Sequence, residues 1–557
     1  MPKNKLIGRV IATEKNPTTI DEFCFWTNSD TKLNAFDIIK VERTDGTDTF
    51  GVIESISHIT DATSFLTNFI SSDFGDVDIA EPTFRVSMNY ARAKVSYNTN
   101  GDYTPVHNNS KVYLASEEEI TFALGLDKVE NPLVCGSLKM YEGTEDEVTL
   151  PVKLNAKFLL GSEGAHLNIS GISGLAAKTS YAMFLMKSIQ DTYANKQDDD
   201  SVAFVLFNVK GRDLMAIDRP NDELDNETTT AYEKLELSKD PFKQVKYYVP
   251  YFDVKSAKQS TYLSRDDVFS YISCGKLKKF KYVYKDDKES IEMMFANVED
   301  PNQTMESIVS KIIDERDSDF GSLGTWSEFL ETVSDNSQKG ASGSKGEISV
   351  LSWRKFKRIV NKAIKNDDMF ANRVLHGQGE CRLADELKRI KKNEIHVIDI
   401  AKLPEDKQAF VFGDAVKTIY NLKLGEYDNE NGIDAPSRIV IFIDELNKYA
   451  SSDVPKSSPI LRQILDVTER GRSLGVILFG AEQFRSAIHK RVTGNCATHA
   501  YGRTNSIETS TGDYKSLPDT YRNMLTRLSQ GEYLIQNPVF RSLLKIKFPK
   551  PIYKQFK

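Results

Sequence analysis

At 557 residues the chain has room for about three or four domains and a large core, and 40% hydrophobic with 27% charged residues fits a soluble globular protein. The net charge of −7 (73 Lys+Arg against 80 Asp+Glu) argues against indiscriminate nucleic-acid binding, so any such contact must come from local basic patches. Five scattered cysteines without a CxxC pair fit a reducing cytosol and argue against a disulfide framework and a zinc site. No run reaches about 18 apolar residues and the start lacks the apolar stretch of a signal peptide, so a cytoplasmic protein with no membrane contact is expected.

Residues 1–155 read as β structure. Alternating runs such as Leu6–Ile11, Phe36–Val41, Thr49–Ile56, Arg85–Met88 and Ala91–Tyr97 are separated by Asp/Asn/Gly/Thr turns, which predicts a small barrel with one helical interruption at Ser116–Leu126. No catalytic constellation stands out here, and a structural or docking module is expected.

From 156 the texture changes to alternating strand and helix, the pattern of a parallel sheet with crossover helices. Its first unit is a strand, His166–Ser170, then the loop Gly171-Ile-Ser-Gly-Leu-Ala-Ala177, then a helix from Lys178-Thr179-Ser180. Strand, glycine loop and helix N-terminus make a phosphate cradle. Backbone N–H groups at Gly171, Ser173, Gly174 and Ala177 face a polyanion, Lys178 reaches its terminal phosphates, and the Thr179 hydroxyl binds Mg²⁺. The spacing departs from Gly-x-x-x-x-Gly-Lys-Thr/Ser: Gly171 lies seven positions before Lys178, and Ala177 replaces the last glycine. Since Ala177 resists a positive φ, a cradle built with other backbone angles is expected.

Further buried strands are predicted at Val202–Phe207, Val245–Val249, Ile395–Asp399, Ile439–Ile443, Gly475–Gly480, Thr498–Gly502 and Glu532–Ile535. Residues 156–254 and 394–537 thus form two parts of one sheet domain. The stretch 255–393 reads as a mostly helical insertion, with a Lys/aromatic alternation at 278–285 that permits a strand, and 538–557 as a basic C-terminal extension.

The strand Ile439–Ile443 ends in Asp444-Glu445, at the sheet edge where ligands bind. There Asp444 can hold Mg²⁺ and Glu445 can polarise the water that attacks a γ-phosphate; the competing reading is a strand leaving the core into a polar loop. The helix that follows, from Pro459, ends with Arg470 and Arg472, which either stabilise charge on a neighbouring subunit's ATP or sit favourably at a helix C-terminus. Gln483, past the next strand, either senses the γ-phosphate or starts a helix.

Together the β region, Gly171–Thr179, Ile-Phe-Ile-Asp-Glu-Leu-Asn447, Glu-Arg-Gly-Arg472 and the strand before Gln483 resemble HerA-type ATPases, prokaryotic relatives of the FtsK-like DNA pumps. The resemblance implies an α/β fold, a RecA-like P-loop NTPase domain preceded by a HAS-like barrel. It also implies a hexameric ring that uses ATP and Mg²⁺ to translocate double-stranded DNA, beside a nuclease or a sirtuin-like effector in end processing or antiphage defence. By matching position, Lys178 and Thr179 contact phosphate and Mg²⁺, Asp444 and Glu445 are the Walker B acids, Gln483 is the sensor, and Arg470 or Arg472 acts across the interface. An ATP-dependent assembly scaffold that hardly moves DNA, and a conjugation-type coupling ATPase, are the competing readings. Two acid-free segments, 351–365 and 541–557, carry six cations each. The first is expected to be an amphipathic helix with a solvated basic face, and the second to dock on an acidic neighbour.

Overall fold

The computed structural model describes residues 5–28, 30–71, 73–75, 86–161, 164–172, 174, 177–194, 196, 200–253, 259–338, 348–427 and 435–556. Within them the chain divides into two compact units. One comprises Met1–Leu154 with Leu517–Met524 and Glu532–Lys547, and the other Asn155–Ser516 with Leu525–Gly531 and Phe548–Lys557.

The first unit is built on period-two alternation. In β2 (Glu22–Thr27), Phe23 and Phe25 point inward while Trp26 is exposed. This strand joins β1 (Leu6–Ile11), β3 (Ile38–Glu42), β4 (Asp48–Thr60), β5 (Ser87–Asn98) and β6 (Lys111–Leu114) in a closed antiparallel barrel of order β1-β2-β5-β4-β3-β6. Closure leaves no free edge, and the interior fills with Val10, Phe25, Ile53, Ala91, Ala93 and Val112. The expected helix is Glu117–Leu124, started by a capping box in which Ser116 and Glu119 bond each other's backbone N–H. Four more strands belong to this unit: β7 (Pro132–Met140), β8 (Val148–Asn155), β19 (Glu532–Gln536) and β20 (Leu544–Lys547), with β20 antiparallel to both β19 and β7.

The second unit is a mixed α/β structure around a parallel sheet. Its strands are β9 (Leu167–Ser170), β10 (Val202–Asn208), β11 (Val245–Pro250), β12 (Leu277–Val283), β13 (Phe370–Ala371), β14 (Glu380–Arg382), β15 (Ile395–Asp399), β16 (Arg438–Asp444), β17 (Val476–Glu482) and β18 (Thr498–Tyr501). They run β13-β12-β11-β15-β10-β16-β17-β9-β18, with β14 also on β12, and every pairing among them is parallel. All seven residues of β10 and all seven of β17 are buried, as expected of strands covered by helices on both faces. The helices Lys178–Tyr193, Glu405–Leu424 and Pro459–Leu474 supply much of that cover. Phe207 meets Phe412 edge-on at 4.9 Å, and Phe412 stacks on Tyr449 at 4.4 Å.

The stretch 255–393 is not wholly outside the sheet. Its Lys/aromatic alternation is β12, a sheet strand despite three lysines, because its cations find partners. Lys281 pairs with Glu380 and Lys278 with Glu386, both at 2.8 Å, and Lys279 lies over the Tyr251 ring. The helices beyond it share an aromatic cluster in which Phe320 stacks on Trp353 at 5.7 Å and Phe295 on Phe356 at 4.8 Å. The basic helix Val350–Ile364 buries Trp353, Phe356, Val360, Ala363 and Ile364 and leaves Arg354 and Arg358 exposed.

Candidate functional site

Three neighbouring strands, β9, β17 and β16, end at one edge of the sheet, and their register fixes what meets there. Ala481 lies beside Asp444, and Glu482 beside Ser170. The chain leaves β9 held on both sides, since Gly171 N donates to Glu482 O at 3.2 Å and Ile172 N to Arg503 O at 2.8 Å. Gly171 (φ 152) and Gly174 (φ 82) bend the loop, while Ser173, Leu175 and Ala176 lie outside the described residues. The helix then begins at Lys178 with no side-chain cap, so its first N–H groups face the site with the positive end of the helix dipole.

Ala177 corrects an expectation. It occupies the left-handed region at φ 49, ψ 43, so the loop keeps the turn that glycine makes easily and carries a strain of about 1–2 kcal/mol instead of adopting other angles. The lysine after it is held in place: Lys178 Nζ donates to Gly171 O at 2.9 Å, closing the loop on itself. Burial lowers the pKa of this ammonium, Asp444 and Glu445 work against that, and Lys210 adds to the lowering.

Thr179 and Asp444 meet directly, the hydroxyl donating to Asp444 Oδ2 at 2.9 Å, while Asp444 Oδ1 accepts from Glu445 N at 3.0 Å. Glu445 is a second strained residue, at φ 60, and its carboxylate forms an ion pair with Lys210. The structure thus brings Gly171, Gly174, Ala177, Lys178, Thr179, Asp444 and Glu445 to one place. Ser180 is in the helix's first turn, within hydrogen-bond reach of Gln555 at 3.4 Å. Gln483 is partly buried one residue past β17.

Arg470 and Arg472 are not brought there. Both are exposed in the last turns of Pro459–Leu474, just before β17 begins at Val476, whereas Asp444 lies level with Ala481. Five residues of strand, about 16 Å, separate the two edges. At that far edge burial, and after it the Arg472 charge, keep His166 below its ordinary pKa, at about 4.

Sequence reasoning missed several groups. Lys210 follows β10, and a loop at a parallel strand's C-terminal end is where ligand groups are sought. Asp213 lies farther along that loop, its pKa raised first by burial and then by the Asp444 charge. Glu482 is fully buried, because β17 runs two residues past the expected end at Gly480. Its Oε1 accepts from Asn168 Nδ2 at 2.8 Å, and Oε2 has no hydrogen-bond partner among the described residues. Burial pushes this carboxyl up to about 8, against the pull of Arg485. Arg485 also bonds Asn168 and reaches His499 Nδ1 at 3.0 Å, so a polar network runs behind the loop.

From Phe548 onward the C-terminal segment packs within the chain's own second unit. Phe548 packs on Tyr181 at 5.0 Å, Pro220 bridges to Tyr553, and Lys550 and Lys554 pair with Asp225 and Asp222. Its Phe556 ring covers the Arg212 guanidinium at 4.2 Å.

The class that fold and site define is a parallel-sheet α/β unit with a glycine-loop–lysine–threonine junction beside a strand ending in two acids. No family model and no curated protein matches the chain. Among solved structures, it is similar to VirB4 of Thermoanaerobacter pseudethanolicus (11% identity, 75% of this chain and 96% of that one, TM-score 0.42). It is also similar to the bacterial conjugative coupling protein TrwBdeltaN70 (11%, 73% and 90%, TM-score 0.39). A third is the genome packaging NTPase B204 from Sulfolobus turreted icosahedral virus 2 in complex with ATP-gammaS (15%, 30% and 71%, TM-score 0.22). Likenesses this distant carry no functional weight. Among the described residues no helix is long and apolar enough to cross a membrane.

Proposed function

We propose that the chain is a ring-forming ATPase of the HerA type, hydrolysing ATP between subunits to move double-stranded DNA or to drive a partner effector such as a nuclease or an NAD-consuming enzyme. The carrying observation is the Thr179–Asp444 hydrogen bond, which joins the glycine loop to the acidic strand end with Lys178 and Glu445 beside it.

In this reading the uncapped helix N-terminus and the Lys178 ammonium hold the β- and γ-phosphates, and the bond from Lys178 to Gly171 O gives way to them. Glu445 orients the attacking water and takes its proton as the oxygen–phosphorus bond forms and ADP leaves. Thr179 Oγ1 and Asp444 Oδ2 are a hydroxyl and a carboxylate 2.9 Å apart, hard oxygen donors that suit Mg²⁺, whose chemistry there is to neutralise phosphate charge. The exposed Arg470 and Arg472 lie away from their own site, which supports a role for one of them on a neighbouring copy. The basic face of Val350–Ile364 is a surface for the phosphate backbone. Among the described residues Arg354 and Lys357 donate to Ser337 O and Ser334 Oγ, neutral acceptors that leave both cations able to meet phosphate.

The test is ATP turnover by the parent chain and by Lys178→Ala, with and without duplex DNA, and particle mass with and without ATP. Loss of turnover in the variant, stimulation by DNA and a mass of several subunits are expected. Turnover unchanged by Lys178→Ala would sink the site, and turnover that rises only with a partner protein would favour the assembly scaffold.

A further inference from the structure

The Lys210–Glu445 ion pair is left over from the chemistry above. A general base must turn its carboxylate toward water, yet Glu445, itself held in the left-handed region, turns it to a lysine on the next strand's loop. The register explains the reach: β10 and β16 are neighbours, with Phe207 beside Ile443, so Asn208-Val-Lys210 and Asp444-Glu445 leave the sheet side by side.

The backbone that carries Lys210 is fixed. Asn208 bonds Gly211 O at 3.1 Å and Leu214 N at 3.3 Å, Arg212 lies under Phe556, and Arg219 O accepts from Lys554 N at 2.9 Å. The side chain is the movable part, 44% exposed on a flexible four-carbon stem. Its charge bears on Lys178, so the two ammonium groups share the region where phosphates would lie. A γ-phosphate there offers Lys210 a second, more highly charged partner than Glu445.

We propose that Lys210 is a positioning residue that senses the nucleoside triphosphate: it holds the Glu445 carboxylate while no γ-phosphate is present and transfers to that phosphate when one binds, which frees Glu445 for water. The inference rests on the ATPase reading. It makes the site discriminate tri- from diphosphate by a contact that the loop itself does not supply.

The experiment measures ATPγS and ADP binding, together with kcat and KM for ATP, in the parent, Lys210→Ala and Lys210→Arg, each checked for an unchanged melting temperature. Lys210→Ala is expected to weaken ATPγS and raise KM by about tenfold or more while ADP affinity stays within about twofold, as the loss of one charge-assisted contact predicts. Lys210→Arg is expected to restore most of the preference. Equal weakening of both nucleotides, weakening of neither, or a fall in kcat with KM and preference unchanged overturns the proposal. A parent that binds both nucleotides but hydrolyses no ATP defeats the ATPase reading alone, and the ATPγS-over-ADP preference still decides Lys210. A parent that binds neither defeats both.

Discussion

β15 and β16 flank β10 and end at the same edge of the same sheet, each in a buried aspartate, but their surroundings are opposite. Asp399 is saturated by fixed neutral donors: Asn208 at 2.8 Å and Ala401 N at 3.2 Å on one oxygen, Thr261 at 2.6 Å on the other. Burial nevertheless pushes it up to about 6. Asp444 is tied by one hydroxyl and its neighbour's amide, and it stands among Glu445, Lys178 and Lys210. A carboxylate filled by neutral donors organises loops. One left among cations keeps lone pairs and field for a charged ligand. Two acids that look alike in the sequence therefore sit in different electrostatic surroundings.

The pair of conservative amides breaks or sharpens this contrast most strongly. Asp444→Asn keeps the shape but removes the charge, and ATP turnover should fall by about a hundredfold or more. In Asp399→Asn the new amide can donate to the Thr261 hydroxyl, which also accepts, so turnover should stay within about twofold. Steady-state rates of the two purified variants decide it. Equal losses would erase the distinction between the two strand ends.

A third strand end, Glu482 of β17, stands between these cases, with one oxygen bonded to Asn168 and the other without a partner among the described residues. Its folded-state pKa of about 8 lies above the ordinary 4.5, so the folded chain keeps a proton that the unfolded chain releases. The stability this proton contributes is full below about 4.5 and is lost as pH rises toward 8. Glu482→Gln cannot titrate. The difference in melting temperature, variant minus parent, should therefore grow from pH 5 to pH 8 and then level off. A difference that is flat over that window means that Glu482 is ionised in the fold, held by Arg485, and belongs with Asp444.

Much of this was legible in the sequence, for identifiable reasons. Strands covered on both faces are apolar enough to see, so β10, β15, β16 and β17 were found, as was the strand–loop–helix at Lys178 despite its spacing. β12 was hard because its lysines are neutralised by Glu380 and Glu386 from distant sequence, which no local pattern announces. Lys210 and Glu482 were missed for a related reason. Each matters through the strand beside it, and the order β10-β16-β17-β9 is a long-range fact. The tail's cations were visible, but their partners Asp222 and Asp225 on the same chain were not.

Strain marks the same contrast more quietly. Ala177 and Glu445 both have positive φ at the Asp444 end, while among the described residues none from 394 to 403 does. Replacing Ala177 by glycine removes a left-handed penalty of about 1–2 kcal/mol and adds about 0.5–1 kcal/mol of unfolded-state entropy. The net effect should be a gain between about zero and about 1.5 kcal/mol in stability, with KM for ATP changed by no more than about threefold. Denaturant unfolding of the variant, with nucleotide absent, is the measurement. A loss larger than about 1 kcal/mol would mean that the methyl group packs favourably and the loop is not strained there. A gain would mean that the chain tolerates a cost at the glycine loop before Lys178 that it does not carry at the satisfied end of β15.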